Sequence, residues 1–158
     1  MSISFVFFLT FAIGVVAGMR SLTAPAVVAW AARGNWLNLA GSRLAFMGST
    51  AAVAIFSVLA VAELIIDKLP STPSRTKPPG LLARLVFGAL SGACVGKSVG
   101  QSLVYGAIFG AAGGIAGAFA GRQWRTGLVK VLKVPDFAVA LLEDTIAIAV
   151  GFLIVSRQ

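Results

Sequence analysis

The stretch GALSGACVGKSVGQSLVYGAIFGAAGGIAGAFAG, residues 88–121, decides the fold. Gly88, Gly92, Gly96 and Gly100 recur at strict four-residue intervals. After a short break near Gly100-Gln101-Ser102 the rhythm resumes with Gly106, Gly110 and Gly114, continued by Ala118. A second row, Gly113, Gly117 and Gly121, runs beside it. A four-residue spacing places small residues on one helix face. In lipid, such faces let helix backbones approach closely, so that dispersion and weak backbone contacts drive association. The stretch therefore reads as two apolar helices folded into a tight hairpin with glycine-zipper packing. A glycine face left over would serve a homo-oligomer or, less simply, line a pore.

Composition points the same way. Of 158 residues, 58% are hydrophobic and 11% charged, and the mean hydropathy is +0.95. Soluble domains carry about 25% charged residues. The apolar runs are continuous rather than alternating, so helices are expected and barrel strands are not. The net charge is +8. The basic residues lie between apolar runs, where they suit anionic headgroups. No nucleic-acid motif accompanies them, and nucleic acid is not an expected partner. The chain has one cysteine, Cys94, and no histidine, which removes the commonest metal ligand and general base. GACVGKS, 92–98, resembles a phosphate-binding loop but has three residues, not four, before its Gly-Lys-Ser.

Outward from 88–121, the spans read as about 4–19, 44–66, 81–99, 103–121 and 136–155. The N-terminal run lacks a basic lead and a cleavage site, so it is expected to be retained as a helix. Between the first two spans, Thr23 suits an N-cap and Pro25 a first helical turn, giving a half-helix over 24–32. At about 13 Å it is too short to cross and is expected to be re-entrant or interfacial. Trp30 and Trp36 suit a headgroup belt. Residues 67–80, with four prolines, read as a loop. The basic, amphipathic 122–135 reads as a separate helix on the membrane surface. The expected fold is a single all-α transmembrane domain over 1–158: a compact bundle of about five spans plus one half-helix. With five spans, eight basic residues (Lys68, Arg75, Lys77, Arg84, Arg122, Arg125, Lys130, Lys133) face five on the other side, which predicts a cytoplasmic N-terminus.

The five acids are Glu63, Asp67, Asp136, Glu143 and Asp144. All fall at one end of the second and fifth spans, so two distant segments are expected to supply one site. Glu63 and Asp67 share a helix face. Asp144 shares one with Ala140, Ala147 and Gly151 and should point inward. Carboxylates facing lipid are costly, so they pair, take a proton or face water. Glu63, Asp67, Glu143 and Asp144 are the candidate ion- or proton-binding residues, with Arg84 as counter-charge. A structural ion pair through Arg84, or Lys68 with Asp67, explains the same residues. Arg20, Ser21 and Thr23 before the half-helix form a second candidate, for an anion or a lipid headgroup. Five spans place it opposite the carboxylates. AVAELIID, 60–67, faintly echoes AVALLED, 138–144, and VAGMRS, 16–21, echoes FAGRQW, 119–124. That pairing predicts an inverted repeat.

Three strings, GMRSLTAPAVVAWAA, AELIIDKLPSTPSRTKPPGLLARLVFGALSGA and PDFAVALLEDTIAIAVGFLIVSR, together resemble a family of short bacterial inner-membrane proteins known as domain of unknown function 4126. The resemblance spans almost the whole chain and implies a small multi-span protein, with no catalytic residues to carry over. The expected function is a small transporter or channel for protons or a hard cation. The alternative is a non-transporting structural or lipid-binding scaffold. No nucleophile–base set is present, so no enzyme, cofactor or metal site is expected. Membrane lipids, a small ion or solute and further copies of the chain are the expected partners.

Overall fold

The computed structural model describes residues 2–67, 76–133 and 135–158. Among them every regular element is helical: α1 (Ile3–Met19), α2 (Thr23–Arg33), a short 3-10 turn (Ala45–Gly48), α3 (Thr50–Ile66), α4 (Pro78–Ser98), α5 (Leu103–Leu132) and α6 (Asp136–Val155). Three of them, α4, α5 and α6, are long and apolar enough to cross a membrane. The apolar α1 and α3 are shorter, with 17 residues each, about 25 Å.

Local chemistry sets the ends. Ser2, Ser49 and Ser102 cap α1, α3 and α5 by accepting from Phe5, Ala52 and Val104 amides. These side-chain oxygens satisfy N–H groups that have no partner inside a helix. Gly100, with φ of 78°, makes the turn between α4 and α5. Helix α4 starts earlier than a loop over 67–80 allows. Pro78 and Pro79 fill its first two positions, where a missing N–H costs nothing. The rest of that expected loop, with Lys68 and Arg75, lies at 68–75, outside the described residues.

The surface helix expected over 122–135 is not a separate element. Helix α5 runs unbroken for 30 residues to Leu132, because nothing between Gly121 and Lys133 breaks a helix. Lys133 in the left-handed conformation and Pro135 beyond it end the run.

Two groupings make the bundle. Helices α1, α4 and α5 pack on one another, with glycines at their contacts. A Cβ on Gly88 would sit 2.6 Å from the Gly110 carbonyl oxygen, and one on Gly106 2.6 Å from that of Gly92. Gly14, Gly92, Gly110, Gly114 and Gly117 meet backbone just as closely, and Gly96 rests on Gly106 Cα. Backbone lies on backbone. Helix α2 instead packs on α3 and α6, with α2–α4 and α1–α6 contacts joining the two groupings. The core there is Val27, Val28, Leu37, Met47, Ala147 and Val155.

Directions follow from these contacts. Gly14 meets Gly110 and Gly18 meets Gly114, so α1 and α5 run parallel. An inverted repeat pairing them needs the opposite direction, so the echo between their sequences is not a structural repeat. Gly88 against Gly110 and Gly92 against Gly106 make α4 antiparallel to α5. Leu22 against Glu63 and Trp30 against Ser57 make α2 antiparallel to α3. Each helix thus reverses the one before it. Phe7 stacks on Phe109 near the start of α5, and Ser98 Oγ donates to Gln158 Oε1 at 3.0 Å. Both chain ends therefore lie at one end of the bundle. Arg20, Asp67 and the α5–α6 junction lie at the other.

Candidate functional site

Helix α1 ends at Met19, and α2 begins at Thr23, with three residues between them. Arg20, between them, is fully buried. The return of α2 leaves Arg20 at the level where α3 ends and α6 has completed two turns. Arg20 Nη1 donates to Asp67 Oδ2. Arg20 Nη2 lies 2.5 Å from Asp144 Oδ1, a charge contact whose angles fall outside hydrogen-bond geometry. The same nitrogen is 3.9 Å from Glu143 Oε2. One guanidinium therefore joins the α1–α2 break to α3 and α6.

Glu63 does a different job. Its Oε1 accepts from the Ser21 amide at 2.8 Å and from Ser21 Oγ, and its Oε2 accepts from the Leu22 amide at 2.8 Å. Leu22 is the N-cap of α2 and offers no side-chain cap of its own. The cap comes instead from a carboxylate 41 residues later in the chain. A negative charge there also suits the positive end of the helix dipole. An N-cap at Thr23 is thus corrected: Thr23 is the first helical residue. Its buried Oγ1 finds no hydrogen-bond partner among the described residues, and neither does Arg20 Nε.

The two candidate sites of the sequence reading are therefore one. Arg20 and Ser21 do not sit opposite the carboxylates; they bind them. The α2 start does receive an anion, as an arginine and hydroxyls before a helix lead one to expect, and that anion is Glu63. Helix α2 runs back along α3, so Arg20 lies at the end of the bundle where α3 finishes.

Glu143 and Asp144 are both buried, at 4% and 6% exposure, on the α6 face that also carries Ala140, Ala147 and Gly151. Arg84 is buried at 5%. Its Nε donates to the Gly18 carbonyl at 3.0 Å and its Nη1 to the Gly80 carbonyl at 2.9 Å, tying α4 to the end of α1. Arg125, passed over in the sequence, reaches the margin of the cluster. It forms a two-pronged pair with Asp136, and its Nη1 lies 3.9 Å from Glu143 Oε2. Its eleven-residue separation from Asp136 across Lys133 and Pro135 is the signal that a helix hairpin brings them together.

No group of three or more acidic side chains among the described residues is arranged to hold a metal ion. The recess beside the cluster, between Trp124, Arg125, Leu128, Val139, Leu142 and Glu143, holds about 10 Å³, at the lower limit for one water. A larger recess of about 610 Å³ lies elsewhere, around Asn35, Asn38 and Ser49, with no charged side chain in its wall. The described side chains thus form a closed, ion-paired arrangement.

Comparison with curated proteins and with solved structures gave no match. The family model for a domain of unknown function, DUF4126, matches residues 7–156, nearly the whole of this helical chain, and the chain belongs to that family.

Proposed function

We propose that the chain is a small transporter or channel of the bacterial inner membrane, with the Arg20 cluster as its proton-responsive centre. One observation carries this reading. Three carboxylates, Asp67, Glu143 and Asp144, meet a buried arginine at a break between two helices, and a fourth, Glu63, binds the two residues after it. Ionisable groups buried within a helical membrane bundle are costly and often mark ion pathways and proton relays. Arg20 acts as a tethered cation, flanked by Arg84 and Arg125. A proton arriving at Asp67 or Asp144 weakens that carboxylate's hold on Arg20 and loosens the junction of α1, α3 and α6. The same acids would bind a hard cation only after rearrangement, so protons are the preferred substrate.

The glycine contacts are read as a zipper that keeps α1, α4 and α5 rigid while the other grouping moves. The rows are filled within the chain, so a homo-oligomer would form on another face. Orientation follows from the reversal at α2. Lys77, Arg122, Arg125, Lys130 and Lys133 lie at the cluster end, and the segment joining α3 to α4 adds Lys68 and Arg75 in sequence. Arg33, Arg43, Lys97 and Arg157 lie at the other. The positive-inside rule then puts the cluster end in the cytoplasm. Both chain ends face away from it, opposite to the N-terminus expected from five spans.

A scaffold held by structural ion pairs is the second reading. It is favoured by Glu63, both of whose oxygens are engaged in capping α2. Proton flux into dye-loaded vesicles, measured for the wild type, Glu63→Gln and Asp144→Asn, separates the two. Transport predicts at least a tenfold fall in flux for Asp144→Asn with the fold retained. Flux absent from the wild type, or equal in all three, selects the scaffold.

A further inference from the structure

We propose that the cluster end of the bundle carries a seat for anionic phospholipid headgroups, built by Lys77, Arg122, Lys130 and Lys133 at the level of Trp124. Three observations meet there. The first is length. Arg84 lies against Gly114 and Gly18 lies against Ala118, so α4 and α1 end near the level of Ala120. The last eleven residues of α5 continue about 16 Å past them, with Thr76 and the start of α6 alongside among the described residues.

The second is charge. The four basic side chains are all exposed. Arg122 Nη1 donates to Thr76 Oγ1 at 2.8 Å, which sets it level with Lys77. Arg125 is occupied by Asp136, and Asp136 is the acid on this projection. The third is exposed apolar surface at the same level, on the other face of α5 and on the start of α6. Trp124 is 42% exposed, Val131 78% and Phe137 58%. Tryptophan favours the headgroup level. Basic residues next to a span attract anionic lipid, each strengthening binding about fivefold. A peptide partner would leave the apolar residues without acyl chains to meet, so a lipid surface fits both halves of the pattern.

The test uses the full chain with Trp124 as the sole tryptophan (Trp30→Phe, Trp36→Phe), reconstituted in phosphatidylcholine. Brominated phosphatidylglycerol or brominated phosphatidylcholine is added as quencher. The expected result is at least threefold stronger quenching by the anionic lipid, falling as salt rises. The triple variant Arg122→Gln, Lys130→Gln, Lys133→Gln is expected to abolish that preference. Arg33→Gln with Arg43→Gln, at the opposite end, leaves it intact. Circular dichroism confirms that each variant is helical. Equal quenching by both lipids overturns the proposal, as does a preference that survives the triple variant. Neither outcome depends on whether the protein moves protons.

Discussion

Where α1, α4 and α5 meet, the touching atoms are backbone: Gly14 on Gly110, Gly92 on Gly106, Gly117 on Val15. Where α2, α3 and α6 meet, side chains do the joining, and beside an apolar core of Val27, Val28 and Ala147 polar groups tie the ends. Asp67 and Asp144 hold Arg20, Glu63 holds the start of α2, and Trp30 Nε1 donates to Ser57 at 3.0 Å. Helix α3 shows the contrast best. Its buried residues are Ala52, Val53 and Ala60, while Ile55, Val58, Val61, Ile65 and Ile66 are more than half exposed. Lipid gives α3 no reason to leave its solvent, because apolar contact with a neighbour replaces apolar contact with acyl chains. Backbone contact at glycine marks one grouping, and ion pairs beside an apolar core mark the other.

The contrast breaks most directly at Gly110. Gly110→Val places two methyls against the Gly88 carbonyl and Gly92 Cα, backbone atoms that cannot swing aside. The expected cost is about 4 kcal/mol or more. Monodisperse protein should then be lost on size exclusion in detergent. If a normally folded protein is recovered, the α4–α5 contact is not set by glycine.

Arg20→Met should cost about 3–5 kcal/mol, because it leaves buried carboxylates without their cation. Adding Asp67→Asn and Asp144→Asn to Arg20→Met should return at least half of the lost thermal stability. No recovery would mean that Arg20 matters for its packing, not its charge. Glu63→Gln keeps one acceptor and loses the charge, so its effect should be about 1–2 kcal/mol. Faster amide exchange confined to Ser21 and Leu22 is the matching signature. Gly127, on the α5 projection, has nothing among the described residues within 4 Å of a built Cβ. Gly127→Ala should raise stability by up to about 1 kcal/mol, which would set it apart from every glycine in the α1–α4–α5 contact.

Much of the fold is legible in the residues, because apolar length and glycine spacing are local quantities. Asp136 starts α6, and Gly100 turns the chain between α4 and α5, as read from the sequence. The end of α5 is not legible in the same way. Arg122, Gln123 and Arg125 mark a change of solvent, and a helix passes through that change when no residue breaks it. The convergence of α3 and α6 acids follows from span order. The place of Arg20 among them does not, since it depends on a helix of 11 residues reversing the chain. Thr23 misleads for a related reason: a cap lent by a distant segment leaves no trace beside the helix it caps.

The borrowed cap also has a consequence for how the protein is made. Leu22 leaves the ribosome 41 residues before Glu63, and Arg20 leaves it 47 residues before Asp67. Asp144 follows only when the chain is almost complete. Until α3 is made, the guanidinium and the start of α2 lack the carboxylates that satisfy them. The α1–α2 break is therefore completed in stages, first by the end of α3 and only last by α6.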